Sequence, residues 1–137
     1  MIEAGMVNRA KLDFLQGVHA PTDQYRIALY TDRADLNAGT SKYTGAEEVR
    51  GQGYSAGGAL LKGYKAGVAD DVAYITFDPI DWQNSSIAAQ GALIYNSSKG
   101  DAAIVVVDFG ELKKSSVGLF RVEFPTPSSE GAVIWIA

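Results

Sequence analysis

Two apolar runs, 92–95 (ALIY) and 102–107 (AAIVVV), stand on either side of the polar hexamer NSSKGD. The second run continues as AAIVVVDF and does not alternate apolar with polar residues. A strand built from it is apolar on both faces, so both faces have to be covered. A lone hairpin or a sheet with one wet face cannot satisfy that demand. Val105 and Val107 are therefore expected in a core. The other way to cover such a strand is to present one of its faces to a partner subunit.

The rest of the chain has a β texture. Segments 25–30, 59–66, 71–78, 86–96, 102–109, 118–125 and 132–137 each read as strands bounded by Gly, Pro, Asn, Ser or Asp. FRVEF alternates cleanly, with Phe120, Val122 and Phe124 on one side and Arg121 and Glu123 on the other. In AVIWIA, Trp135 and its neighbours are apolar in both directions, which predicts an integral strand rather than a tail. The expected fold is an all-β sandwich, jelly-roll-like, of about seven strands in a single domain spanning 1–137. One short helix precedes it at about 4–16, where Met6, Val7, Ala10 and Phe14 share a face. Gly17 follows as a left-handed cap, and Pro21 prevents continuation. Between 31 and 58 the chain carries six glycines and few apolar residues. A structureless stretch of that length suits a loop that contacts a partner, with a short helical turn at 45–49. Tyr43, Arg50 and Tyr54 within it, and Trp82 beyond it, are the candidate contact residues.

Composition narrows the function. A net charge of −4 is the wrong sign for a general nucleic-acid binder. No apolar run approaches the roughly 20 residues of a membrane helix. The start, MIEAGMVNRAK, lacks the basic-then-apolar pattern of a secretory signal. With no cysteine, thiolate metal sites and disulfides are excluded, so packing and oligomerisation have to supply stability.

No catalytic constellation stands out. His19, the single histidine, lies between a helix end and a proline without a G-x-S-x-G motif, and reads as a linker or capping residue. Asp70, Asp71, Asp78 and Asp81 could supply an acid–base pair or oxygen ligands, but they sit in turn-like contexts without a calcium-loop pattern. Gly51, Gly53, Gly57 and Gly58 faintly resemble a phosphate-cradling loop but lack the strand-then-helix frame. Trp82, Trp135 and Tyr54, near Gln83 and Asn84, could stack on sugar rings. Asn84 and Asn96 open Asn-X-Ser triplets, which matter only in a secreted eukaryotic protein. The reading is that the chain has no catalytic, cofactor or metal residues.

One resemblance covers nearly the whole chain. FLQGVHAPTDQYRIALYTDRADLNAGTSKYTGAEEVRGQGYSAGGALL resembles the N-terminal half of small structural proteins of tailed bacteriophages. In these a short helix is followed by a YRIALYT-type strand and a Y-T-x-x-x-E-V-x-G-x-G-Y-x-A-G-G segment. Here that segment begins at Tyr43 as YTGAEEVRGQGYSAGG. WQNSSIAAQGALIYNSSKGDAAIVVVDFG, FRVEFP and AVIWIA fit the second half. The resemblance implies a non-enzymatic virion protein assembled in the host cytoplasm. It implies a capsid decoration or cement protein, homo-oligomeric, with the major capsid protein as partner. The alternatives are a neck, collar or baseplate component and a carbohydrate-binding attachment module. A small hydrolase using Asp70, Asp78 or Asp81 is a further, weaker option.

Overall fold

The computed structural model describes residues 1–69, 71–124 and 134–136. Among them are ten strands and one α-helix: β1 (Gly5–Met6), α1 (Asn8–Leu15), β2 (Tyr25–Tyr30), β3 (Ala59–Leu60), β4 (Lys65–Ala69), β5 (Val72–Thr76), β6 (Ile80–Ser85), β7 (Ala88–Asn96), β8 (Ala102–Lys114), β9 (Gly118–Val122) and β10 (Ile134–Ile136). A 3-10 turn, Ser97–Lys99, joins β7 to β8. The fold is all-β and sandwich-like, with one short N-terminal helix.

The hairpin β7–β8 is the middle of a five-stranded sheet ordered β1-β8-β7-β2-β3. Register and alternation assign its two faces. Tyr25, Ile27 and Leu29 share a face with Ile94, Ala92, Val105 and Val107. Arg26, Ala28 and Tyr30 share the other with Tyr95, Leu93, Gly91 and Val106. Residues 102–106 are all buried, and Val107 is half-buried. The double cover expected of this strand is present within one chain.

The first face is covered by the sheet β6-β9 and by residues that flank the sheet β10-β5-β4. Aromatic rings form that contact: Tyr25 against Phe77 at 5.7 Å between centroids and Phe109 against Phe120 at 6.3 Å, with Trp82 edge-on to its cross-strand neighbour Phe120 at 6.0 Å within the covering sheet. The expected alternation in 120–124 holds, with Phe120 and Val122 buried and Arg121 and Glu123 exposed.

The second face is covered by the segment 31–58 and the N-terminus. Tyr43 stacks obliquely on Tyr95 at 5.0 Å, and Tyr30 Oη donates to the Thr44 carbonyl at 2.6 Å. Ile2 fills the space left by the missing side chain of Gly91, where a Cβ would lie 2.9 Å from its Cδ1. Leu36, bridged to Ile2, is fully buried, as is Ala34.

The segment also pairs with stretches of β8 and β2 that the short edge strands β1 and β3 leave open. On the β8 side, the Tyr43 N–H donates to the Asp101 carbonyl and the Ala103 N–H to the Ser41 carbonyl. On the β2 side, the Thr31 N–H donates to Glu47 and the Val49 N–H to Leu29. Open edges invite pairing with other chains, and these stretches are covered.

Several boundaries differ from the sequence expectation. The helix starts at Asn8 rather than Ala4, because residues 5 and 6 pair with Val106 and Val105 instead. Its end follows the expectation: Gly17 takes φ +71°, and Val18 and Gly17 donate back to Asp13 and Phe14 in a Schellman cap. The expected strand 59–66 splits into β3 and the start of β4. Gly63, at φ +71°, bends the chain there, with the Asp78 carboxylate where a side chain would be. β6 was hidden in a stretch read as turn, and the helical turn at 45–49 is a tight turn with Glu47 at φ +58°. Loop 31–58 is irregular, as expected, but it is the third layer of the core. The side chain of Trp135 lies outside the described residues, although its backbone pairs with Tyr74.

Candidate functional site

Glu48 organises the covering segment. Its carboxylate is buried under the loop and accepts from Tyr43 Oη through Oε1 at 2.5 Å. Through Oε2 it accepts from Tyr54 Oη at 2.5 Å and from the Gly57 N–H at 2.8 Å. Three donors on a buried carboxylate offset the cost of taking it from water. Tyr54 Oη also accepts from the Leu29 N–H at 3.0 Å. That amide faces the edge of β2 where 50–58 detours away, so a side chain supplies the bond that a neighbouring strand would have made. Tyr95 Oη donates to the Gly57 carbonyl at 2.6 Å, and Arg26 donates to the Gly58 carbonyl at 3.0 Å.

Burial, with the nearby Glu48 charge, pushes the phenols of Tyr30 and Tyr54 well above the ordinary tyrosine value; Tyr43 is pushed up to about 12, also by burial first and Glu48 second. At neutral pH these hydroxyls are donors and not bases.

The glycines have a steric role. A Cβ at Gly58 would lie 1.8 Å from the Ile27 carbonyl oxygen, and one at Gly51 would lie 2.4 Å from that of Ser86. They let the segment touch the backbones of β2 and of the β6–β7 connection, which displaces the phosphate-cradle reading.

Two adjoining clefts open beside Glu48, of about 360 and 320 Å³. Gly45, Glu48 and Arg50 line both; Tyr43 and Tyr54 line the second. Three of the four expected contact residues thus meet at one place. Arg50 is exposed and makes no ion pair among the described residues. Tyr43 and Tyr54 are half-buried, with their hydroxyls turned inward to Glu48.

Trp82 is the correction. It is only 6% exposed and packs between Tyr54, at 6.1 Å, and Phe120. Its indole is core, so it cannot serve as a contact residue or a sugar platform on the surface of this chain. Glu48, the centre of the network, was not singled out in the sequence. The signal available was its place between Tyr43 and Tyr54 in a segment too polar to cover a sheet by area alone.

The remaining candidates are placed as follows. Asp71 occupies a left-handed turn position, Asp78 lies against Gly63, and Asp81 faces Arg121 at 3.6 Å. Asp70 lies outside the described residues. No group of three or more His, Asp or Glu suited to a metal ion occurs among the described residues. Asn84 is exposed at φ +50°, whereas Asn96 is fully buried beside His19. Comparison of the chain with family models, with curated proteins and with solved structures gives no match.

Proposed function

We propose that the chain is a non-enzymatic structural protein of a tailed-bacteriophage virion, acting as a decoration protein that binds the assembled head. The observation that carries this reading is the use made of YTGAEEVRGQGYSAGG, the segment on which the phage resemblance rests. Tyr43, Tyr54, Gly57 and Gly58 fasten the segment to the sheet, through the Tyr95 ring, the Leu29 N–H, Tyr95 Oη and the Ile27 backbone, while Glu48 ties Tyr43, Tyr54 and Gly57 to one another. A motif whose polar residues fix a backbone identifies a scaffold and not a reaction. What that scaffold presents outward is the cleft rim of Gly45, Glu47 and Arg50, held at the end of the sheet. Capsid surfaces repeat one site many times, so a modest contact per copy stabilises the shell by mass action.

Copy number in purified particles tests the assignment. A decoration protein is present at on the order of hundreds of copies, and a ring-forming neck protein at about a dozen. Absence from particles overturns the virion reading. Arg50→Glu tests the rim: it should reduce incorporation at least about tenfold, equivalent to about 1.4 kcal/mol, with unchanged melting. Normal incorporation of that variant would move the contact elsewhere.

A further inference from the structure

Away from the covering segment, Asp13, His19, Asp23, Asn96 and Lys99 form a polar cluster. It joins the end of α1 and the 17–24 connector to the tip of the β7–β8 hairpin. Asn96 is fully buried, and its Oδ1 accepts from the Ser98 N–H at 3.0 Å, which fixes the orientation of the amide. Its Nδ2 then donates twice, to Asp23 Oδ2 at 2.8 Å and to His19 Nδ1 at 2.9 Å. A ring nitrogen that accepts carries no proton, so the imidazole is neutral with its hydrogen on Nε2. Nε2 faces Asp13 Oδ2 at 3.5 Å. The side chain of His19 is wholly buried, 4.9 Å from the Phe14 ring and 6.5 Å from that of Tyr25.

We propose that this cluster is an acid-release latch: protonation of His19 at Nδ1 breaks its bond to Asn96 and loosens the 17–24 connector from the hairpin tip. In the imidazolium both nitrogens are donors, and Nδ1–H would point at a donor. Asn96 cannot turn over to accept it without setting its oxygen against the Asp23 carboxylate and abandoning the Ser98 N–H. The charges facing the ring oppose one another. Burial dominates and lowers the His19 pKa; Asp13 and Asp23 favour the cation, while Lys99 and Arg9 disfavour it.

The unfolded chain therefore takes up the proton before the folded one does. The stabilisation from His19 is complete above about pH 6.5 and is lost as pH falls through the lowered folded value. Asp23 is the second stage. Burial alone would raise its pKa, but the bonds from Asn96, the Ala20 N–H and Lys99 hold it down to about 2. Its two 3.0 Å contacts to Lys99 thus persist while the His19 bond is lost, and the connector loosens without detaching.

His19 is the only histidine, so its ring resonances are unambiguous. Nitrogen-detected NMR from pH 8 to pH 4.5 should show the Nε2–H tautomer at neutral pH and a midpoint below the ordinary histidine value. Over the same midpoint, amide exchange at Gln24 and Ser97, whose N–H groups are bonded between the connector and the hairpin tip, should accelerate beyond its intrinsic pH dependence, by up to about tenfold per pH unit, the limit for one proton. His19→Asn keeps an acceptor near the position of Nδ1 and cannot titrate, so it should abolish the extra acceleration. A midpoint at or above the ordinary value overturns the latch, as does a titration that leaves both amides unchanged. If the variant fails to fold, the native titration and its amide readout still decide.

Discussion

The two faces of the central sheet are covered by different means. On one, β6-β9 and the residues flanking β4 and β5 bring rings and branched side chains, and the contact depends on area: Phe77 meets Tyr25 and Phe120 meets Phe109 at centroid distances of about 6 Å. On the other, an irregular segment lies across the strands, held by directed bonds from Tyr30, Tyr95, Arg26 and the Leu29 N–H and by glycines at backbone contacts, and tied together internally through Glu48. Area tolerates substitution by anything apolar of similar volume. Directed bonds and close backbone approach do not, because a lost partner leaves a buried polar group unsatisfied. The loop-covered face should therefore respond sharply to single atoms, and the sheet-covered face to volume.

The largest effect should come from replacing 40–52 with a tight turn. That removes the cover of one face and the partners of both edges at once, so the chain should not fold. A folded, soluble product with native melting would break the comparison. Next is Gly58→Ala. One methyl group at φ +78° and 1.8 Å from a carbonyl oxygen forces β2 and the loop apart, at a cost of about 3–5 kcal/mol, near the upper end for single substitutions. Trp82→Ala should cost a similar or slightly smaller amount, about 3–5 kcal/mol by cavity formation, and Trp82→Phe much less. The contrast between a graded series at 82 and an abrupt loss at 58, read by denaturant unfolding, sharpens the distinction. Glu48→Gln should be the smallest, about 1–3 kcal/mol, because an amide can accept from one tyrosine but sets its NH2 against another donor.

Much of this architecture could be read from the sequence. β2 falls at 25–30 as expected, Val7, Ala10 and Phe14 of the expected helical face pack against the core although Met6 belongs to β1, and 102–106 are buried on both sides. Each of those signals is local and periodic. The role of 31–58 was not legible, because its packing relies on contacts such as Tyr43 to Tyr95 and Gly58 to Ile27, which carry no periodicity. β6 was missed for a related reason: Asp81, Gln83 and Asn84 make its outer side polar enough to resemble a turn, while Trp82 and Ser85 point inward. Of the four candidate contact residues, Tyr43, Arg50 and Tyr54 line one cleft, whereas Trp82 lies in the core. An aromatic residue in a polar stretch looks the same in sequence whether it is exposed or turned into the core.

The central claim is that 31–58 is a fixed layer of the isolated protein and not a loop awaiting a partner. Hydrogen exchange at Leu29, Thr31, Tyr43 and Val49 tests it directly, because their amides are bonded to, or donated by, that segment. In the free protein these four should be protected as strongly as Leu93 and Val106 in the middle of the sheet, and Tyr54→Phe should expose Leu29 selectively. Rapid exchange at all four, with Leu93 and Val106 still protected, would contradict the account.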